Sequence, residues 1–430
     1  MSFPATAKIT KEGIIEIGGV SVEVLAEKFG TPLYVMDEQT IRQKCREYRL
    51  AFQNKYPNTS FIYASKALST LSILKIVAEE GFGLDISSGG ELYTALKAGV
   101  DPETIYFHGN NKPADEITEA LEAKIGRFVV DNLEELNELN MQALKRGEKA
   151  NILVRLNPGV EAHTHEFIQT GKIDSKFGFP QSGIPELIKK IKAAKAINFV
   201  GIHAHIGSQI FEADSFAKET DVLIELGAKF KKEGLEVKEI NIGGGIGISY
   251  VDSDDPPPIE AFAEKIAAVL IEKAEAAGLD TPKLVLEPGR SIVGEAGITI
   301  YRVGSVKHIP GIRTYVSVDG GMLDNPRPIL YGAQYKVLVA NRALDEEKHK
   351  QTIGGRFCES GDILFKDVHI PMVKKDDLLV VFCTGAYGYS MASNYNRVPR
   401  PAMVLVNDGK AKLIIKRETY QDLIKNDILI

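Results

Sequence analysis

A lysine at the end of a buried strand is a reagent as well as a charge. In FIYASK (61–66) a short apolar, aromatic run ends on Lys66, and ALSTLSILKIVAEEG follows with helical spacing. Partial desolvation and nearby positive charge at such a position lower the pKa of the amine, and a neutral amine can form an imine with an aldehyde. A solvated lysine at a strand end is the plain alternative, and these six residues do not decide between the two. Further along, INIGGGIG (241–248) sets three glycines directly after a strand. Backbone N–H groups of Gly243, Gly244 and Gly245 can close around a phosphate, although a tight strand-to-helix turn would use the same residues. The run lacks both the GK[ST] ending of a nucleotide P-loop and the spacing of a dinucleotide fingerprint.

Two more strand ends carry chemistry. HAHIGSQ (203–209) offers His205, whose ring can stack on a flat cofactor, and Ser208, which can bind phosphate; a buried, hydrogen-bonded histidine is the simpler reading of the motif alone. LEPGR (286–290) offers Glu287 and Arg290. A carboxylate beside a pyridine nitrogen keeps that nitrogen protonated and makes the ring an electron sink, whereas a surface ion pair is the ordinary use of such a strand end. An imine-forming lysine and a phosphate cup in one domain are explained together by pyridoxal phosphate.

The elements that must position these residues follow a rhythm. Apolar strands recur as SFIYA, FGLDI, TIYFH, RFVVD, NILVRLN, NFVGIHAHIG, EINIGG and KLVLEPG, and helical patterns such as LEELNELNMQALKRG lie between most of them. Several of those patterns stop at a glycine suited to a left-handed cap: Gly81, Gly99, Gly147, Gly234 and Gly278. Eight strands alternating with helices fit a closed (β/α)8 TIM-type barrel, with an open doubly wound sheet as the alternative. Lys66, Asp85, His108, Asp131, Arg155, Asn157, His205, Gly243 to Gly245 and Glu287 all fall at or just past strand C-termini, the end at which such barrels do chemistry. After Gly297 helical spacing gives way to β-rich runs, and Asn407-Asp408-Gly409 between two alternating stretches signals a hairpin. The expected organisation is an α/β barrel over 36–297 and an all-β, sandwich- or barrel-like domain over 298–430, completed by residues 1–35.

Composition narrows the function. A net charge of −6 and a pI near 5.9 argue against nucleic acid as the main partner. No apolar stretch approaches the roughly 18 residues of a membrane span, and MSFPATAKITKEG lacks a signal pattern, so a cytoplasmic protein is expected. Three cysteines, Cys45, Cys358 and Cys383, form neither a disulfide framework nor a zinc motif, and no metal is expected.

Taken together the motifs are recognisable. YASKA, GLDISSGGEL, HGNNK, RLNPGV, TGKIDSKFGF, GIHAHIGSQ, NIGGGIGISY, EPGR, VDGGMLDNPRPILY, FCESGD and TGAYGYSMASNYN run nearly end to end. The chain resembles the fold-type III, alanine-racemase-like PLP-dependent decarboxylases, and within them the branch that acts on meso-diaminopimelate. The resemblance implies a PLP-binding barrel, conversion of that substrate to L-lysine and carbon dioxide, and a homodimer with shared active sites. Residue by residue, it implies that Lys66 attaches the cofactor, His205 stacks on its ring, Ser208 and Gly243 to Gly245 bind its phosphate, and Glu287 pairs with its ring nitrogen. The EPGR stretch, with Pro288 and Gly289, belongs to the cofactor site; Arg290 faces substrate, or in some relatives phosphate. Arg327, Tyr331, Cys358 and Glu359 match substrate contacts, and Tyr387 matches a residue shared by cofactor and substrate.

Those assignments make chemical sense. A distal carboxylate suits paired hydrogen bonds from Arg290 and Arg327, and a distal ammonium suits Glu359. The Cys358 thiol is the candidate proton donor to the α-carbon, while Cys45 and Cys383 read as packing residues. Decarboxylases of ornithine, arginine or carboxylated polyamines, a racemase, and a non-catalytic regulatory homologue are the rivals. Arg327, Tyr331 and Glu359 speak against the first, CESGD against the second, and retention of Lys66 and Cys358 against the third. One departure is Met403, where the family commonly has a glutamate, which removes an expected ion pair near the C-terminus.

Overall fold

The computed structural model describes residues 3–160 and 175–430. The TGKID part of one motif therefore lies outside the described residues. Two compact units emerge, one made of Met1–Gln43, Ile248–Asp255 and Arg290–Ile430, the other of Lys44–Gly247 and Pro256–Gly289.

In the first unit the chain opens with three short strands, β1 (Lys8–Ile9), β2 (Ile15–Ile17) and β3 (Val20–Ser21), which form a small antiparallel sheet. β4 (Leu33–Asp37) follows. The second unit then supplies β5 (Thr59–Ala64), β6 (Gly83–Ile86), β7 (Ile105–Phe107), β8 (Arg127–Val130), β9 (Ala150–Arg155), β10 (Ile197–His203), β11 (Glu239–Asn241) and β12 (Lys283–Leu286). These eight close into a barrel in which all neighbours are parallel. The eight strands expected from the sequence are all present, and the barrel rather than the open sheet is the answer. Three of the described helices between them begin on side-chain caps: Thr70 accepts from the Ile73 N–H, Ser88 from the Glu91 N–H and Asn132 from the Glu135 N–H. The five capping glycines anticipated from the sequence all have positive φ.

The barrel interior is layered, and the period of two along each strand sets the layers. Ile62, Tyr106, Val129, Leu153 and Val285 form a buried apolar cluster that plugs the barrel. Two residues further along four of those strands come His108, Asp131, Arg155 and Glu287, all buried and all polar. Alternation therefore places a charged layer directly on a hydrophobic one. On the other side of the plug, Glu239 is buried and pairs with Arg127 at 2.7 Å and Lys283 at 3.6 Å, and accepts from the Tyr106 hydroxyl at 3.0 Å.

The remainder of the first unit is β13 (Gly297–Ile309), β14 (Arg313–Val318), β15 (Val337–Val339), β16 (His349–Gly354), β17 (Ile363–Ile370), β18 (Leu378–Val381), β19 (Ala402–Asn407) and β20 (Lys410–Ile415). With β4 they make a nine-stranded sheet, in which β4 lies between antiparallel β13 and parallel β19. The predicted hairpin joins β19 to β20, with Asn407 opposite Lys410 and positive φ at Asp408 and Gly409, as a type I′ turn requires. Met403 is buried in β19, so an apolar side chain fills that place, while nearby Arg400 pairs with Glu418 at 2.6 Å.

Replacing Arg127 by leucine should cost about 3 kcal/mol in urea unfolding, because it strips Glu239 of its closest charge partner inside the barrel. Cofactor affinity should be unchanged. A loss below about 1 kcal/mol would mean that Lys283 alone neutralises Glu239.

Candidate active site

Lys66 sits in a single tight turn, Ser65–Ala67, that leaves the end of β5. The end of β12 presses on that turn: the Ala64 N–H donates to the Pro288 carbonyl at 3.1 Å, and a Cβ on Gly289 would lie 2.9 Å from the Ala64 Cβ. Only glycine at 289 permits this approach. Ser65 and Ala67 are buried, but the Lys66 side chain is exposed. The desolvation anticipated for it is thus not supplied by the described residues. Its charge does act inward, lowering the pKa values of Asp85 and Glu91 from where burial alone would set them and pushing His205 down.

Glu287 is the centre of the polar layer. The Asn241 side-chain amide donates to its Oε1 at 2.8 Å. His108 Nε2 lies 3.0 Å from Oε1 and His203 Nε2 3.4 Å from Oε2, close enough for attraction though not aligned as hydrogen bonds. The two rings meet edge to face at 4.9 Å. Burial alone would raise the carboxyl pKa, yet His108 and His203 more than offset it, and Glu287 is held well below the usual carboxylate range. Burial pushes His203 down to about 4, so its ring is uncharged at neutral pH. Asp85, 3.7 Å from His108 Nε2, moves the other way, raised by burial despite His108. Two neighbouring carboxyl groups thus diverge, Glu287 ionised and Asp85 biased toward protonation. Among the described residues His108, His203 and Glu287 are also the set whose ligand atoms, within 4.8 Å of one another, match a metal ion's reach.

Above this layer the glycine run turns back. φ is +66° at Gly243 and +116° at Gly245, and a Cβ on Gly244 would stand 2.0 Å from the Glu287 carbonyl. The Gly243 N–H donates to Asn241 Oδ1 at 2.8 Å, so it is used internally. Among the described residues nothing accepts from the N–H of Gly244 or Gly245. The Ile210 N–H donates to the Gly245 carbonyl and the Gly247 N–H to the Ile210 carbonyl, each at 3.0 Å, which draws the Gly207–Ser208 turn alongside. His205 packs against Gly243 and is half-buried; burial, with Lys66 and Arg155, keeps its pKa well below the ordinary value. Two open backbone donors, a neutral ring, a buried carboxylate and a lysine thus share one barrel mouth, and this set fits a phosphate-bearing pyridine aldehyde.

The other unit holds the second group of predicted residues. Arg290 is buried, donates to the Tyr250 hydroxyl at 2.6 Å and lies 4.9 Å from the Tyr387 ring centre. Arg327 is 7% exposed, stands 4.8 Å over the Tyr250 ring and donates to the Tyr335 hydroxyl. Among the described residues no carboxylate pairs with Arg327. Tyr331 closes the short helix Arg327–Tyr331. Cys358 and Glu359 are exposed on a loop built from within: Asp362 accepts the Phe357 and Met322 N–H groups, and Asn396 accepts the Cys358 N–H at 2.9 Å. Cys45 and Cys383 are buried.

Sequence reasoning missed His203, Asn241, Tyr250, Tyr335, Asp362 and Asn396. His203 was within reach: it is the last residue of β10, two positions before His205 in the same motif. Asn241 and the tyrosines carried no such signal.

The pKa of His203 has a consequence for stability. Its folded value of about 4 lies below the ordinary 6.5, so on acidification the unfolded chain takes up this proton first. The contribution is complete above about 6.5 and is lost as pH falls toward 4. Unfolding free energies across that window should fall less steeply in His203→Gln, by up to about one proton; parallel curves would show that His203 titrates normally.

Comparisons with known proteins give the family. The family described as pyridoxal-dependent decarboxylase, pyridoxal binding domain, matches residues 38–294. A diaminopimelate decarboxylase of Synechocystis is 50% identical over 99% of this chain and 93% of its own length, and that of Bacillus subtilis 47% over 100% and 98%. The crystal structure of the M. jannaschii diaminopimelate decarboxylase superposes with a TM-score of 0.93 at 38% identity, covering 99% of this chain and 98% of that one. The chain with its lysine, open glycine amides and buried glutamate at one barrel mouth belongs to the pyridoxal-phosphate-dependent decarboxylases.

Proposed function

We propose that this chain converts meso-diaminopimelate to L-lysine and carbon dioxide, the closing step of lysine biosynthesis. The observation that carries the reading is Arg327: a buried guanidinium, flanked by Tyr250 and Tyr335, with no carboxylate partner among the described residues. A substrate with a distal carboxylate supplies that partner; lysine and ornithine do not. The relatives named above support it, and a related structure was solved in co-complex with L-lysine.

When bound, pyridoxal phosphate supplies an aldehyde for covalent attachment and a ring that accepts the electron pair left by the departing carboxylate. In this reading Lys66 would hold the aldehyde carbon and His205 would cover the ring. The Gly244 and Gly245 amides and Ser208 hold the phosphate on the turn that Gly243 shapes. Glu287, carried by the Pro288–Gly289 bend, faces the ring nitrogen. Arg290 and Tyr387 serve the boundary between cofactor and substrate; Arg327 and Tyr331 take the distal carboxylate and Glu359 the distal ammonium. The Cys358 Sγ delivers the proton to the α-carbon. The exposed Cys358 and Glu359 support a homodimer in which this loop serves the partner's site. No helix among the described residues is long and apolar enough to cross a membrane, and a cytoplasmic setting is part of the proposal.

Carbon dioxide release should be at least about a hundredfold faster, as kcat/KM, from meso-diaminopimelate than from ornithine, lysine or arginine, and Arg327→Ala should remove most of that preference. Comparable rates on ornithine would contradict the reading. For the dimer, mixing inactive Lys66→Ala and Cys358→Ala subunits should restore part of the activity. No recovery after proven subunit exchange would place Cys358 with its own chain's lysine.

A further inference from the structure

Asn241 is fully buried at the C-terminal end of β11, and both ends of its side chain are engaged. Its Nδ2 donates to Glu287 Oε1 at 2.8 Å, and its Oδ1 accepts the Gly243 N–H at 2.8 Å. A third bond runs alongside, from the Glu287 N–H to the Gly243 carbonyl at 2.8 Å. The carboxylate and the glycine turn are therefore fastened through one side chain. Other groups near Glu287 act mainly by charge or approach: His108 just past β7, His203 from β10, Asp85 from β6, and at longer range Arg155, His205, Tyr106 and Glu219.

We propose that Asn241 is a positioning residue for the cofactor, holding the Glu287 carboxylate and the Gly243–Gly245 turn at a fixed separation so that ring nitrogen and phosphate are met at once. The proposal rests on the assignment of Glu287 to the ring nitrogen made above. An amide suits the task because one end donates and the other accepts, with no charge to compete with the anion. Leucine keeps the volume and loses both bonds. Aspartate keeps the acceptor for Gly243 and loses the donor to Glu287.

The test uses apoenzyme titrated with pyridoxal phosphate labelled with 15N at the ring nitrogen, and separately with inorganic phosphate. In Asn241→Leu the affinity for pyridoxal phosphate should fall about tenfold or more, and the ring-nitrogen signal should titrate between pH 6 and 9, roughly the span in which the wild type stays protonated. Combined with Glu287→Gln, the loss should be well short of the sum of the two single losses, since both break the same interaction. Phosphate affinity should fall in Asn241→Leu, through the unfastened turn, and in Asn241→Asp, through the added negative charge beside it, and the aspartate variant also serves if the leucine chain folds poorly. A ring nitrogen that stays protonated in Asn241→Leu but not in Glu287→Gln, or fully additive losses, would overturn the role of Asn241. A ring nitrogen unaffected by Glu287→Gln itself would instead overturn the assignment of Glu287, and with it the basis of the proposal.

Discussion

A carboxylate enclosed by protein stays ionised only where donors and positive charge outweigh its lost hydration, and Glu287 is such a group. The amide of Asn241 donates to it, and the rings of His108 and His203 stand against its two oxygens and draw its pKa down. The arrangement needs a closed barrel, because these residues come from β11, β7 and β10 and converge only when the sheet meets itself. It also needs the apolar plug beneath, which excludes water from one side and leaves the polar layer facing the strand C-termini. The pattern along the chain is therefore simple: an apolar residue, then two positions later a polar one, repeated on successive strands.

The β-rich unit solves a different problem with different means. Its arginines are buried among aromatic rings, with Tyr250 lying beside both Arg290 and Arg327. Aromatic faces and phenol oxygens stabilise a guanidinium while leaving hydrogen-bond donors for a planar anion. In the function proposed above, a substrate that lacks the anion would leave Arg327 without its partner in a dry place, a strong form of discrimination.

Much of this was legible in the chain. Strand periodicity marked out eight barrel strands, and the reactive residues could be placed at their ends because C-terminal strand ends are where such barrels carry function. The hairpin at Asn407–Gly409 followed from turn chemistry alone. What escaped the reading depends on which strands become neighbours. Asn241 reads as an ordinary strand asparagine until β12 lies next to it, and Tyr250 and Tyr335 read as core aromatics until Arg327 reaches them. Lys66 was expected to be walled in, and its exposed side chain shows that a strand-end position does not by itself desolvate an amine. Likewise, the glycine run suggested three phosphate donors, but the Gly243 N–H is bound to Asn241 and two remain open.

We propose that Lys66, at the mouth of the barrel, is the amine that takes the cofactor's aldehyde. Reducing the loaded enzyme with borohydride, digesting it and locating the pyridoxyl mass by peptide sequencing tests this directly. The label should lie on Lys66 in the FIYASK peptide and nowhere else. Label on a different lysine, such as the buried Lys112, or no covalent label at all, would contradict the account.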